Sequence, residues 1–478
     1  MSELRPLRLL NAIENGTVLG AEFNTFLTDP GRLAEFTVLF AQRGQAKRIA
    51  NGQTTMTAMV NSIIAINAAF VQATKTNDTI VEEIVKSALA MSTIANFPDV
   101  LEKASDNLIS WGYVTGSIYY ENHIKNIIAH LSGVDPSLYG TTSLLILDPV
   151  SMGDISVSER GMRALVNSIP SSTIMAGSSV AMALVAANVV AINLVAQQTS
   201  IMPIIANSVF AMNEIVSRST ATSLMASNLG AIQAIASNPT AFLNYTSGSF
   251  YALNLKTVVA NLAGLTPANY LDLGEILTDP TDALAVANSK SAIQAILANP
   301  AAINTMLSST NLDVILGSSI AMTEITGNES TMNTLISNTT AFPILLTSSA
   351  AKAAIFASPT LVSTMLTGVD SSATVGALAQ SATVTNNASF ATYKSVGIAG
   401  NIIILTGVMG SIVATTLQNQ FQSGDDAGTR SPIFNIPGTS LASGPIDINL
   451  PFTNAKWTVN SIAATAAANI NITYVDFN

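Results

Sequence analysis

The chain has no cysteine, two histidines and little charge: 10% of its 478 residues are Asp, Glu, Lys or Arg, against about 25% in an ordinary soluble domain. Each shortage removes a class of function. Without cysteine there is no disulfide framework and no thiolate metal site. His123 and His130 stand seven apart and fit one helix face, but no third ligand lies at a fitting spacing. They are read as partly buried polar residues, and no metal is expected. The net charge of −10 argues against a nucleic-acid footprint. Six of the 19 basic residues nevertheless fall within the first fifty: Arg5, Arg8, Arg32, Arg43, Lys47 and Arg48. That concentration is read as a polar helix face or a docking surface.

Ser, Thr, Asn and Ala replace the missing charge, while 49% of the chain is apolar. A polar but nearly uncharged exterior suits a protein largely covered by copies of itself. The start, Met1-Ser-Glu-Leu-Arg5, has no basic-then-apolar leader pattern, so a soluble chain made in a cytoplasm and not exported by a leader is expected. Residues 402–417 are apolar apart from Gly, Ser and Thr. They are short for a membrane span and rich in β-branched residues, and read as strand.

What the chain does have is a ten-residue repeat, clearest over residues 158–257. A unit carries a small polar residue at position 1, a small residue at 4, a large apolar one at 5, and apolar residues at 8 and 9. Ser208-Val-Phe-Ala211-Met212-Asn-Glu-Ile215-Val216 and Asn228-Leu-Gly-Ala231-Ile232-Gln-Ala-Ile235-Ala236 show it; Ser172 and Thr222 depart from it at position 5. Pro239, Pro300 and Pro359 stand at position 2 behind Asn or Ser. That pairing is a helix cap followed by a first-turn proline. Inside one long helix each would cost about 3 kcal/mol. Pro203 and Pro343, at position 6, fit only where a unit caps late. The expectation is therefore a train of two-turn helices, each too short to stand alone, stacked as an α-solenoid with two helices and about twenty residues per layer. Met91, Met162, Met182, Met212, Met322 and Met332 at position 5 are read as core.

The domain reading follows the changes of pattern. Residues 1–50 form a helical N-terminal anchor, with Asp29 capping a helix that starts at Pro30, buries Leu33, Phe36, Leu39 and Phe40, and ends in a basic turn at 43–48. Residues 51–157 hold a first, irregular array, in which the period fades after 127. Residues 158–257 are the second array, 258–288 a break, 289–370 the third array and 371–390 a linker. Residues 391–478 alternate or run β-branched between Gly and Pro, and are expected to form a small all-β, sandwich-like domain. The fold class expected is thus α + β, multidomain.

No phosphate loop, dinucleotide fingerprint, metalloprotease helix, nucleophile elbow or calcium loop is present. Glu82-Glu83 and Asp425-Asp426 lack the spacing of paired catalytic carboxylates, and the Gly424–Gly428 segment reads as a solvated turn. Trp111, Tyr113, Tyr119 and Tyr120 read as an aromatic core rather than a glycan-stacking patch. No catalytic, cofactor or metal residues are assigned.

The Ser/Asn-x-x-Ala-Met-x-x-Ile repeat, joined to Glu14-Asn-Gly-Thr-Val-Leu-Gly20 and Leu27-Thr-Asp-Pro-Gly-Arg-Leu-Ala-Glu-Phe36, resembles repeat-bearing virion proteins of tailed bacteriophages, of the tail-fibre, neck or head-fibre type. The resemblance implies attachment through the N-terminus and an exposed β-rich C-terminal domain for host-surface or virion-protein contact. The long Gly-rich β shaft of many fibres is missing. Expected partners are copies of the chain, in a homo-oligomer such as a trimer, other virion proteins through residues 1–50, and a host glycan or protein through 391–478. The competing readings are a bacterial adhesin or surface-layer protein, which needs an export signal, and a fibre-borne glycan depolymerase. The latter would have to draw its carboxylates from Asp425, Asp426, Asp447 and Asp476.

Overall fold

The computed structural model describes residues 4–18, 20–338 and most positions of 340–364, and gives backbone alone for strand segments between 380 and 477. Pro359, residues 371–379 of the expected linker, the Asp425-Asp426 turn and Asp447 lie outside the described residues. The chain divides into two units, Met1–Asn261 and Leu262–Asn478.

In the first unit the ten-residue repeat is a succession of short helices. Glu159–Val166, Ile169–Ala176, Ser179–Ala187, Val189–Gln197, Met202–Asn207, Val209–Val216, Ser219–Ser227, Leu229–Ala236 and Pro239–Ser247 follow one another. Their first residues explain the restarts. Ser158, Ser168, Ser178, Asn188, Ser208, Asn228 and Asn238 each stand in extended backbone, and their side-chain oxygens accept N–H groups of the first turn. Pro239 follows its cap directly. Pro203 also lies in a first turn, because Met202–Asn207 starts late behind Ile201. The helices are separate: Ile169–Ala176 and Ser179–Ala187 meet at 99°.

Positions 4, 5, 8 and 9 form the core. Ala181, Met182, Val185 and Ala186 are buried in one unit, and Ala191, Ile192, Val195 and Ala196 in the next. Each large side chain contributes about 1.5–3 kcal/mol by leaving water, which stabilises helices that would not persist alone. All six position-5 methionines are buried. Ser172 and Thr222 are buried too, and their hydroxyls are satisfied locally, by the Leu165 carbonyl at 3.3 Å and the Ile215 and Arg218 carbonyls at 3.1 and 2.9 Å.

The layer differs from the expected pair. Each helix packs on the third helix after it. Ser179–Ala187 lies against Val209–Val216, Val189–Gln197 against Ser219–Ser227, and Met202–Asn207 against Leu229–Ala236. One turn is therefore three helices and thirty residues. The 99° bend supplies the reason. Two rods at that angle leave the chain heading away from its start, and a third is needed to bring it back. The second unit repeats the rule: Pro280–Ala287 packs on Leu312–Gly317, and Lys290–Leu297 on Ser319–Thr326.

Side chains join successive turns. Ser158 Oγ donates to the Leu131 carbonyl at 2.7 Å while accepting the Gly161 N–H at 3.1 Å. Ser208 does the same between Ala176 and Ala211. Amides continue the pattern, with Asn238 donating to Asn207 at 2.6 Å, Asn244 to Asn213 at 2.8 Å and Gln198 to Asn167 at 3.0 Å, each 31 residues apart.

Where the period fades, helices continue in another arrangement. Tyr120–Leu131 is twelve residues long. It is followed by Gly133 at φ 73°, a 3-10 turn at Pro136–Leu138, then Thr142–Leu147 and Pro149–Val157. Tyr251–Leu262, Gly264 at φ 75°, Pro267–Asn269, Leu273–Thr278 and Pro280–Ala287 form the same series 131 residues later. Tyr120, Lys125, Gly133, Pro136, Tyr139, Asp148 and Pro149 match Tyr251, Lys256, Gly264, Pro267, Tyr270, Asp279 and Pro280. In the first copy Lys125 Nζ donates to the carbonyls of Pro136 and Tyr139 at 3.0 and 2.8 Å, clamping the turn. The left-handed glycines let the long helix end sharply.

The N-terminal segment is a shorter version of this series: α1 (Leu4–Glu14), Gly16 at φ 68°, α2 (Gly20–Leu27) and α3 (Pro30–Ala41). Asp29 Oδ1 accepts from Gly31 and Arg32 N–H at 2.8 and 3.0 Å, and Phe36, Leu39 and Phe40 are buried, as expected, while Leu33, at the start of the helix, is only half-buried. The expected basic turn at 43–48 is instead a further helix, Arg43–Asn51. Its Ala46, Ile49 and Ala50 are buried, and that apolar stripe keeps the segment helical.

Candidate functional site

The charged residues singled out in the sequence go to different places. Arg43 pairs with Glu82 at 2.6 Å and approaches Glu83 at 3.6 Å; Lys86 joins both carboxylates, at 2.5 and 3.6 Å. The Lys86 ammonium holds the Glu82 carboxyl below the usual carboxylate range. Arg48 pairs with Glu14 and donates to Asn11 at 2.5 Å. The Arg43 pairs tie the head to the array that follows it, and the Arg48 contacts hold the head together internally.

His123 and His130 lie two turns apart on Tyr120–Leu131, both half-buried, and burial lowers both pKa values. Among the described residues no group of three or more His, Asp or Glu is placed to hold a metal. Trp111 and Tyr120 are buried and meet edge to face at 6.4 Å, with the Tyr120 hydroxyl donating to the Ala164 carbonyl at 2.8 Å. Desolvation pushes that phenol well above its ordinary pKa. Tyr113 donates to Asp78 at 2.8 Å. Trp111 and Tyr120 are core, as expected, whereas Tyr113 and Tyr119, read with them as core, are only half-buried. No helix among the described residues is long and apolar enough to cross a membrane.

The remaining head arginines do come together. Arg5, Arg8 and Leu9 of α1, Phe26 of α2, and Arg32 and Glu35 of α3 line a cleft of about 630 Å³. Folding places them there for local reasons. Arg5 and Arg8 are one helical turn apart on the exposed side of α1, whose opposite side buries Leu10 and Ile13. Phe23 and Leu27 bury the inner face of α2 and leave Phe26 at its edge. There the Arg32 guanidinium sits 4.7 Å over the Phe26 ring. Arg5 and Arg8 have no ion-pair partner among the described residues. The sequence concentrated these cations in one segment. Their separation into an ion-paired set, Arg43 and Arg48, and a cleft set depended on tertiary placement; the Arg5/Arg8 spacing was the readable signal.

No family model matches the chain, and no curated protein matches it.

Proposed function

We propose that the chain is a structural component of a bacteriophage virion, a fibre-type protein of tail, neck or head, attached through its N-terminal segment. The observation that carries this reading is the use made of its polar residues. Cap after cap is committed at once to starting a helix and to bonding the previous turn, an arrangement suited to a repetitive spacer.

Two further features support it. Val150, Val180 and Phe210 recur every thirty residues, one above another on the stack that contains Ser179–Ala187 and Val209–Val216, and are 73, 48 and 53% exposed. A periodic apolar ladder of this kind favours contact with copies of the chain. The backbone at the C-terminal end supports a β-rich tip. Gln380–Asn386 pairs with Ala468–Phe477, which pairs with Ile402–Ser411, and Gln418–Ser423 pairs with Ser431–Ile436 and Trp457–Ile462, all antiparallel. In this reading the β region opens near 380, inside the stretch expected as linker, and serves host-surface or virion-protein contact.

The test is to raise an antibody against residues 1–364 and to examine purified phage particles from the source culture by immunogold electron microscopy. Labelling at a fixed place on the particle is expected. Particles that carry none of the protein contradict the proposal.

A further inference from the structure

We infer that the cleft between α1, α2 and α3 is a docking site for an acidic, carboxylate-bearing peptide segment of a partner protein, a reading that rests on the proposed N-terminal attachment and specifies its chemistry. Three cations meet there, Arg5, Arg8 and Arg32, in a chain with only 19 basic residues and a net charge of −10. Elsewhere Arg43, Arg48, Lys86, Arg160, Arg163, Arg218 and Lys290 face Asp or Glu side chains, so every other arginine with an ion pair among the described residues is matched within the fold.

Asp29 and Glu35 also line the cleft, setting two carboxylates against its three guanidinium groups, and Glu22 flanks it in a pocket shared with Phe26 and Arg32; the lining keeps an excess of one positive charge. Asp29 spends its carboxylate on the first N–H groups of α3, and Glu35 stands one turn from Arg32 on that helix. All three cations are arginines, whose planar forks bind carboxylates through two parallel hydrogen bonds. Leu9 and Phe26 add apolar lining, and the volume of about 630 Å³ lies within the range of small-ligand sites, roughly 300–1,000 Å³. A lining that mixes arginines with Leu9 and Phe26 fits a peptide, in which acidic and apolar side chains alternate, better than a free inorganic anion. The overall negative charge works against a nucleic acid.

The test uses the full chain and fluorescence anisotropy with dye-labelled hexaglutamate, with hexaglutamine as the neutral probe. Saturable binding of hexaglutamate and none of hexaglutamine is expected. The Arg5→Gln/Arg8→Gln double variant should weaken binding at least tenfold, while Lys75→Gln, an exposed cation outside the cleft, should leave it unchanged. Circular dichroism checks that the variants keep their helix content. Equal binding by wild type and double variant overturns the inference, as does equal weakening by Lys75→Gln or no binding at all. Complete displacement by millimolar inorganic phosphate also overturns it, assigning the cleft to free anions. Particles lacking the protein would instead overturn the virion reading while leaving the peptide result standing.

Discussion

Ser318 Oγ donates to the carbonyl of Ala287, 31 residues earlier, at 2.9 Å, and accepts the N–H of Ala321 at 3.4 Å. One hydroxyl therefore starts a helix and fastens it to the turn before. Replacing it should cost more than an ordinary cap. Ser318→Ala removes a cap worth about 1 kcal/mol and leaves a buried carbonyl short of a donor, a further ~1 kcal/mol or more. Chemical denaturation should show a loss of about 2 kcal/mol for the transition that reports this unit. A loss below about 0.5 kcal/mol would assign the serine no role beyond composition.

The paired glycines make a second expectation. Gly133 and Gly264 hold φ of 73° and 75° with nothing within 4 Å of an added Cβ. The cost of alanine is then backbone strain alone, about 1–2 kcal/mol. Gly133→Ala and Gly264→Ala should each lower stability by that amount, and Gly133→Asn by less, because Asn tolerates this conformation better. Gly161 differs: a Cβ there would lie 1.9 Å from Ser132 Oγ, so Gly161→Ala should be relieved by Ser132→Gly.

The histidines give a pH dependence. Burial lowers the pKa of His123 and His130 in the folded chain, so the unfolded chain takes up protons first as pH falls. Stability is then fully present above about pH 6.5, the unfolded value, and declines as pH drops through the folded values. Thermal melts between pH 7.5 and 5 should show a falling midpoint, and His123→Gln/His130→Gln should flatten it. An unchanged slope in the double variant would remove the histidines from the account.

The core was legible where local chemistry decides it. Asn238-Pro239 and Asn299-Pro300 mark starts, and Ala181, Met182, Val185 and Ala186 mark the buried face, because capping and burial act within one unit. The number of helices per turn was not legible there. A ten-residue unit records that its face is covered but not by which later unit. The signal lay at longer range, in Asn207 with Asn238 and Asn213 with Asn244, and in the matched Lys125/Lys256, Gly133/Gly264 and Tyr139/Tyr270. The helix at Arg43–Asn51 was hidden by its charge, since Arg43, Lys47 and Arg48 obscure the stripe of Ala46, Ile49 and Ala50.

The chain's lack of cysteine makes the three-helix turn directly measurable. Two variants, Asn207→Cys/Asn238→Cys and Asn207→Cys/Asn228→Cys, are treated with a short bis-maleimide and digested, and cross-linked peptides are counted by mass spectrometry. Asn207 and Asn238 touch at 2.6 Å, whereas Asn228 caps a helix that stacks on Met202–Asn207 from its opposite end. Efficient cross-linking of 207 to 238, with little of 207 to 228, is the result expected of three helices per turn. The reverse would show that the chain returns after twenty residues and would contradict the architecture described.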